Sequence, residues 1–341
     1  RRLRVALFEK TDFAAGTSSR SSKLIHGGLR YLEQAELGLV FESLRERSIL
    51  RQLAPHLVRS LPFLLPVYAD APTGLETVNM GLWVYDTLAL FRSPRRHRTY
   101  RGASAAMLEP ALRRDGMRGA VEYFDCATDD ARLVLETILD ARTLGADCRS
   151  YTEVTGLKRD TNGRVRGVAY RDRHSGSEGS VACGAVIVAA GPWTDEVNDQ
   201  IGIGIDRPLL RPTKGVHLVF PRERLPVTRA LTLLTPEDDR VVFAIPWAGR
   251  TVVGTTDTDF GGAADQVVAD RHDVEYLCGV ANHFFPTVQL GPSDVLATWA
   301  GLRPLVADAA DQPSAVSREH TILVRGDGVT VIAGGKITTY R

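Results

Sequence analysis

The 341-residue chain contains no run of about 18 apolar residues, so no segment of it spans a bilayer as a helix. Cysteine is scarce: Cys126, Cys148, Cys183 and Cys278 make no C-x-x-C pair and have no paired histidines to join them. This argues against a zinc site, leaves no metal to expect, and fits a reducing, cytosolic compartment. Neither charge sign is in excess. Lys and Arg number 42 against 41 Asp and Glu, a net charge of +1 that argues against a general nucleic-acid binder. Internal repeats and long low-complexity tracts are absent. A complete G-x-G-x-x-G is also missing, because Gly202-Ile203-Gly204 lacks the third glycine.

What remains is ordinary globular material, 44% hydrophobic and 24% charged, and long enough for two core-bearing units. Leu3, Val5 and Leu7 alternate with Arg4 and Ala6 in a strand that ends at Phe8-Glu9-Lys10. A strand closing on a carboxylate resembles the second strand of a Rossmann unit, where the acid binds a ribose about 20 residues after the glycine fingerprint. That fingerprint would precede Arg1. The spacing of Leu37, Val40, Phe41, Leu44 and Leu53 predicts a helix over 36–53, stopped before Pro55. Asp129-Asp130 caps a second helix, closed by Gly145.

Tyr151 to Leu157, Arg164 to Tyr170 and Val181 to Cys183 read as a three-stranded meander with turns at Asn162-Gly163 and Ser175-Gly176. The apolar run Ala185 to Ala190, ending at Gly191-Pro192-Trp193, reads as a parallel strand buried on both faces. Between these pieces, 207–300 holds candidate antiparallel strands at Val216 to Phe220, Ala230 to Leu234, Val241 to Pro246 and Arg250 to Thr255.

The expected fold is therefore a mixed α/β one. A nucleotide-binding domain, with a parallel sheet and a meander, comes in pieces at 1–60, 126–206 and 326–341. A substrate domain on an antiparallel sheet comes in pieces at 61–125 and 207–325.

Two stretches carry the chemistry. At the C-terminal end, strand Val329 to Ala333 runs into Gly334-Gly335-Lys336-Ile337-Thr338-Thr339-Tyr340-Arg341. Paired glycines there let backbone approach a bound anion closely at the start of a helix. The second stretch is Thr17-Ser18-Ser19-Arg20-Ser21-Ser22-Lys23-Leu24-Ile25-His26-Gly27-Gly28-Leu29-Arg30-Tyr31-Leu32-Glu33. It is either a flexible linker or a loop of hydroxyls and backbone N–H groups lining a cofactor. In the second case Gly27-Gly28 admits a flat ring and Arg30 is offered as an anion clamp.

Six segments in order, Ser21 to Glu33, Gly191 to Val197, Lys214 to Val219, Val253 to Asp257, Ala300 to Leu305 and Gly334 to Arg341, resemble the FAD-dependent, aerobic glycerol-3-phosphate dehydrogenases of the glycine-oxidase-like flavoprotein superfamily. The match of Gly334 through Arg341 to G-G-K-x-x-T-Y-R is the most specific of them. The resemblance implies a fragment that lacks the family's N-terminal glycine-rich loop and C-terminal helical domain. It implies oxidation of sn-glycerol 3-phosphate to dihydroxyacetone phosphate, with hydride passing from C2 to FAD and electrons then to a quinone. Close alternatives are an oxidase that uses O2 and a related flavoenzyme acting on an amine or hydroxy acid.

A phosphate monoester carries about −1.5 to −2 charge, so two or three cations should converge on it. Arg30, Arg303, Arg318 and Lys336 are the candidates, with Lys214 behind them. Arg303 stands in an apolar context, Trp299-Ala300-Gly301-Leu302-Arg303-Pro304-Leu305, which also suits a buried structural ion pair. Arg318 also reads as a surface charge, and Lys336 as a helix-end lysine facing solvent or the flavin. His217 is the candidate base, or else a satisfied core histidine; His26 is its rival. Tyr31 donates to substrate or packs in the core.

For the cofactor, Glu9 and Lys10 are expected at the ribose end. Thr17, Ser18, Ser19, Ser22, Lys23, Leu24 and His26 are expected along the flavin and pyrophosphate, Val154 at the adenine, and Gly191, Trp193, Gly335 and Lys336 in close approach. An apolar segment, Met80 to Phe91, precedes Arg92, Arg95, Arg96, Arg98 and Arg101. It reads as a core helix and solvated loop, or as a peripheral contact with the inner face of an anionic membrane.

Overall fold

The computed structural model describes residues 3–33, 36–90, 92–235, 240–307 and 320–339, apart from the side chains of Arg30, Glu33 and Thr339. Arg318, Tyr340 and Arg341 lie outside the described residues.

In chain order the elements are β1 (Ala6–Phe8), β2 (Leu24–Ile25), α1 (Arg30–Glu33), α2 (Leu37–Leu53), β3 (Arg59–Tyr68), α3 (Leu75–Leu88), β4 (Arg98–Arg101), α4 (Ala103–Leu108) and β5 (Met117–Ala127). There follow α5 (Asp130–Thr143), β6 (Asp147–Arg149), β7 (Thr152–Arg159), β8 (Val165–Asp172), β9 (Glu178–Ala182), β10 (Val186–Val188) and α6 (Thr194–Ile201). The rest are β11 (Leu210–Pro221), β12 (Ala230–Leu234), β13 (Val241–Trp247), β14 (Arg250–Gly254), β15 (Thr258–Asp259), α7 (Arg271–Phe284), β16 (Ala297–Val306), β17 (His320–Val324) and β18 (Val329–Gly334).

A 10-stranded sheet forms the centre. Its path runs β15-β11-β14-β13-β12-β3-β5-β2, with β16 added on β11 and β4 on β5. Alternation sorts the side chains of β11. Val216, Leu218 and Phe220 pack with Leu277, Ala281 and Phe284 of α7 on one face. On the other face, Phe63, Leu65, Val121 and Val252 pack with Val40 and Leu44 of α2 and with Leu82 and Tyr85 of α3. Each large side chain so buried contributes about 1.5–3 kcal/mol, and the two helical layers hold the sheet between them.

The remaining strands form smaller sheets. β1 pairs with β6 in parallel, β10 pairs with β18 in parallel, and β7, β8 and β9 form the meander.

Several expectations change. The run around β10 is not buried on both faces, because Ile187 is 68% exposed. Among the described residues β10 pairs only with β18 and β1 only with β6, so one edge of each stays open. Val5 and Leu7 of the first strand are exposed for the same reason. Asp129 is the N-cap of α5, accepting from the Arg132 N–H at 3.0 Å, and Asp130 accepts from the Ala131 N–H at 2.9 Å. The helical pattern expected from Met80 begins earlier, at Leu75. Part of the basic stretch after it is strand β4, and His97 is buried against Asp86 at 2.8 Å. After Lys336 the described chain makes a short 3-10 turn, Ile337–Thr339.

One polar cluster lies inside the layer between α2, α3 and the sheet. Arg47 of α2 pairs with Asp125 of β5, and both are nearly inaccessible. Tyr85 of α3 donates to the same carboxylate at 2.8 Å. Removing one partner of a buried pair leaves an uncompensated charge and costs about 3–5 kcal/mol. Asp125→Ala should therefore lower the unfolding free energy measured in urea by an amount in that range, seen as a lower midpoint. A midpoint within error of wild type would show that solvent reaches Arg47.

Candidate cofactor and substrate site

β11 and β16 are antiparallel over Leu210↔Val306 to Val219↔Ala297, and this register assembles the site's floor. Thr213, Gly215 and His217 share one face of β11, opposite Arg303, Gly301 and Trp299 of β16. The two glycines are needed there. A Cβ on Gly301 would meet Arg20 of the serine-rich loop at 3.0 Å, and one on Gly215 would run into the Arg303 guanidinium. The loop therefore lies directly on this face. Thr17 donates to the Leu302 carbonyl at 2.6 Å, Arg20 to the Ala300 carbonyl at 3.2 Å, and the Trp299 indole to the Ser21 carbonyl at 3.2 Å. Ser18 sits in the 3-10 turn Thr17–Ser19, and Ser19 turns back to the Gly16 carbonyl at 3.4 Å.

Asp130, which sequence patterning treats only as a helix cap, is the carboxylate that fixes this loop. It accepts from Ser21 Oγ at 2.6 Å and from Lys23 Nζ at 2.7 Å. Lys23 Nζ also lies 5.3 Å from the Trp299 ring and 5.5 Å from the Trp247 ring. Leu24 is buried in β2.

His217 is 2% exposed and stacks on Trp299 at 5.1 Å. Its Nε2 bonds Ser22 Oγ at 2.8 Å, while its buried Nδ1 has no hydrogen-bond partner among the described residues. Burial pushes the imidazole down to about 3, helped by the charges of Arg303 and Lys23. The ring is therefore neutral throughout the working range.

A cavity of about 590 Å³ opens beside this floor. Its lining includes the polar groups of Arg303, Asp257, Thr255 and Arg240, the rings of His26 and Tyr31, and Val78, Met80 and Val84 of α3. Arg303 donates to Asp257 Oδ1, Thr255 Oγ1 and the Thr256 carbonyl, each at 3.0 Å. It is at once a member of an ion pair and part of the cavity wall. Tyr31 carries the Lys336 ammonium 4.5 Å above its ring, and Lys336 reaches Ser43 Oγ of α2 at 2.8 Å. His217 is not on the wall; His26 is. Lys214 is taken up elsewhere, bonded to Asp270 and Asp273 at 2.6 Å each, where it holds the capped start of α7. Arg30 begins α1, with its side chain outside the described residues.

The residues expected at a dinucleotide gather at the carboxyl ends of parallel-paired strands, where such ligands bind in open α/β sheets. Glu9 follows β1 and accepts from Thr11 N–H and Oγ1 at 3.0 Å each. Lys10 pairs with Asp265 at 3.0 Å and lies 4.8 Å from the Trp193 ring. Trp193 itself donates to Asp265 at 2.9 Å and rests on Gly16, whose Cβ would strike it. Gly191 after β10, and Gly334 and Gly335 at the end of β18, all have φ between 55° and 83°, a region open mainly to glycine. Val154 lies in β7 at a bulge opposite Tyr170. A carboxylate, half-buried glycine backbone at strand ends and a hydroxyl-rich loop fit FAD.

The geometry thus sets parallel strand pairs and a meander beside a larger, mainly antiparallel sheet, a mixed α/β arrangement. A family model described as FAD dependent oxidoreductase matches residues 1–341, and the chain belongs to that family, whose cofactor is FAD. The aerobic glycerol-3-phosphate dehydrogenase of Staphylococcus haemolyticus is 39% identical over 341 residues, covering 100% of this chain and 61% of the relative. The Staphylococcus aureus enzyme of the same name is 37% identical over the same span. The chain therefore spans about three fifths of the length of these curated relatives. The FAD complex of glycerol-3-phosphate dehydrogenase from Bacillus halodurans superposes with a TM-score of 0.80 at 32% identity, over 100% of this chain and 58% of that one. Glycine oxidase from Geobacillus kaustophilus, at 22% identity and a TM-score of 0.69 over 98% of this chain and 83% of its own, shares the fold. Among the described residues no helix is long and apolar enough to cross a membrane, and no group of His, Cys, Asp and Glu could hold a metal.

His217 yields a pH prediction. An imidazole in the unfolded chain titrates near 6.5, well above its value in the fold. The unfolded state therefore takes up the proton first. Stability from the neutral ring is complete above about pH 6.5 and is lost as pH falls toward 3. Urea unfolding between pH 6.5 and 5 should show a slope from this group approaching about 1.4 kcal/mol per pH unit. His217→Gln should remove one proton from that slope; an unchanged slope would place the titration elsewhere.

Proposed function

We propose that this chain is the FAD- and substrate-binding part of a glycerol-3-phosphate dehydrogenase, oxidising the C2 hydroxyl of sn-glycerol 3-phosphate to give dihydroxyacetone phosphate. The observation that carries the reading is the cavity lined by Arg303, Thr255 and Asp257 together with His26 and Tyr31, with Lys336 over Tyr31. The names of the relatives supply the substrate. FAD, when bound, supplies the hydride acceptor.

The chain's own residues bind, orient and deprotonate. Arg303, Lys336, Arg30 and Arg318 are the proposed phosphate cations, and Arg240 on the cavity wall joins them. His217 is the proposed base. It is neutral, Ser22 holds Nε2, and the Nδ1 lone pair is uncommitted when Nε2 carries the proton. His26 is the second reading, favoured by its place on the cavity wall. Glu9, Lys10, the loop Thr17 to Leu24, Val154, Gly191, Trp193 and Gly335 are the proposed FAD contacts. A quinone is the proposed acceptor. The exposed Met80, Trp83 and Val84 of α3, a helix that also lines the cavity, support a peripheral contact with the inner face of the membrane.

Two measurements on the FAD-loaded enzyme test this. Arg303→Ala should raise KM for glycerol 3-phosphate by about 10- to 150-fold, equivalent to about 1.5–3 kcal/mol for a lost charged contact, with the flavin spectrum intact. An unchanged KM with FAD lost would make Arg303 structural. For the base, stopped-flow reduction by His217→Gln should slow by about 10²–10⁴-fold. A near-normal rate there, with His26→Gln slow, would transfer the role to His26. Peroxide formed in step with substrate would replace the quinone by O2.

A further inference from the structure

We propose that the Tyr85 hydroxyl, backed by Asp125 and Arg47, is the positioning group that sets the His26–Gly28 turn at the cavity wall. Its kinetic consequence rests on the functional reading above; its geometric part does not. None of these three side chains lines the cavity. They act through one backbone amide.

That amide is Gly27 N–H, which donates to Tyr85 Oη at 2.9 Å; Asp125 Oδ1 is a longer second acceptor at 3.4 Å. A phenol has one proton to give, and here it goes to Asp125, with Oη 2.8 Å from Oδ2 and 3.0 Å from Oδ1. Burial and the neighbouring Asp125 push the Tyr85 phenol well above its ordinary range, so the proton stays in place. The oxygen must then accept from Gly27, and the direction of the chain is fixed: Gly27 N–H to Tyr85, Tyr85 O–H to Asp125. Arg47 closes the far end. It donates to Asp125, to the Phe124 carbonyl at 3.0 Å and to Ser93 Oγ at 2.7 Å.

The turn is also fixed sterically. A Cβ on Gly27 would collide with Leu44 and the Tyr85 hydroxyl. Gly28 has φ +75°, and a Cβ there would enter the Tyr31 ring. Tyr85 thus supports the turn from below while Tyr31 covers it.

The register of α2 connects this turn to the second cofactor turn. Arg47 and Ser43 stand four residues apart, on one helix face. Ser43 holds the Lys336 ammonium just beyond Gly334-Gly335, while Arg47 braces the network under Gly27. One rigid helix therefore sets both turns relative to each other. Misplacing a reacting group by about 1 Å can cost about 10²-fold in rate, so the Gly27 hydrogen bond has a kinetic role as well as a packing one.

Tyr85→Phe keeps the ring and deletes the hydroxyl. Tyr68→Phe is the control, because that buried hydroxyl bonds the Arg113 carbonyl, away from the turn. In the protein without FAD, hydrogen exchange at the Gly27 amide should speed up by about 10-fold or more in Tyr85→Phe and stay as in wild type in Tyr68→Phe. In the FAD-loaded enzyme, Tyr85→Phe should lower kcat for glycerol 3-phosphate by about 10- to 100-fold, with KM within about threefold. Unchanged exchange at Gly27 overturns the proposal, and so does faster exchange with kcat intact. If the wild-type enzyme is not reduced by glycerol 3-phosphate, the substrate reading fails, while the exchange measurement still decides whether Tyr85 sets the turn.

Discussion

The antiparallel pairing of β11 with β16 is the constraint on which the rest of the site depends. A slip of β11 by one residue would turn Thr213 and His217 to the α7 side, away from Arg303 on β16, and would bring the Val216, Leu218 and Phe220 set out of the α7 layer. That slip is opposed by the whole apolar layer under α7. The polar face is therefore held in place by hydrophobic burial on the reverse of the same strand. Gly301 then lets the serine-rich loop lie on the polar face, Gly215 leaves room for the Arg303 guanidinium, and the loop meets His217 through Ser22.

Much of this was legible in the sequence because it is local. The hydrophobic period of α2, the meander turns and the strands of 207–300 fall within a few residues of their expected bounds. Glu9, Gly191 and Gly334-Gly335 do stand at the ends of parallel-paired strands, the position their sequence context suggested. What stayed hidden is non-local. Asp130 looks like a helix cap until the fold brings Ser21 and Lys23 to it. Asp257 and Thr255 carry no sequence signal that would tie them to Arg303. The Arg47–Asp125–Tyr85 cluster draws on three separate elements, and nothing in the spacing of those residues joins them. Ile187 shows the opposite failure. Continuous apolarity reports the burial a strand is suited to, whereas actual burial depends on which strands stand beside it.

Charge pairs as well as apolar contacts tie the segments around the site together. Lys10 with Asp265, and Lys214 with Asp270 and Asp273, join segments that are distant in sequence. Exposed pairs of the first kind contribute little, about 0–1 kcal/mol. Their value here lies in geometry. Lys10 and Asp265 hold the Trp193 indole over Gly16, which fixes the turn after β10 against the loop after β1.

The same charge accounting bears on ligand choice. Asp257 beside Arg303 partly neutralises its charge, and a single carboxylate ligand would find little net attraction from that pair alone. Arg240 on the wall and Lys336 above Tyr31 add further positive charge. A phosphate monoester, with about −1.5 to −2 charge and three acceptor oxygens, can engage several of these cations at once. A carboxylate, with one charge and two oxygens, matches fewer of them and leaves more desolvated donors unmatched, which is costly in a buried site. The neutral His217 behind the floor adds no charge of its own, so it does not compete with the cations for the anion. On the proposed reading, the cations around the cavity would serve binding and the uncharged imidazole of His217 would serve proton removal, two tasks assigned to different groups.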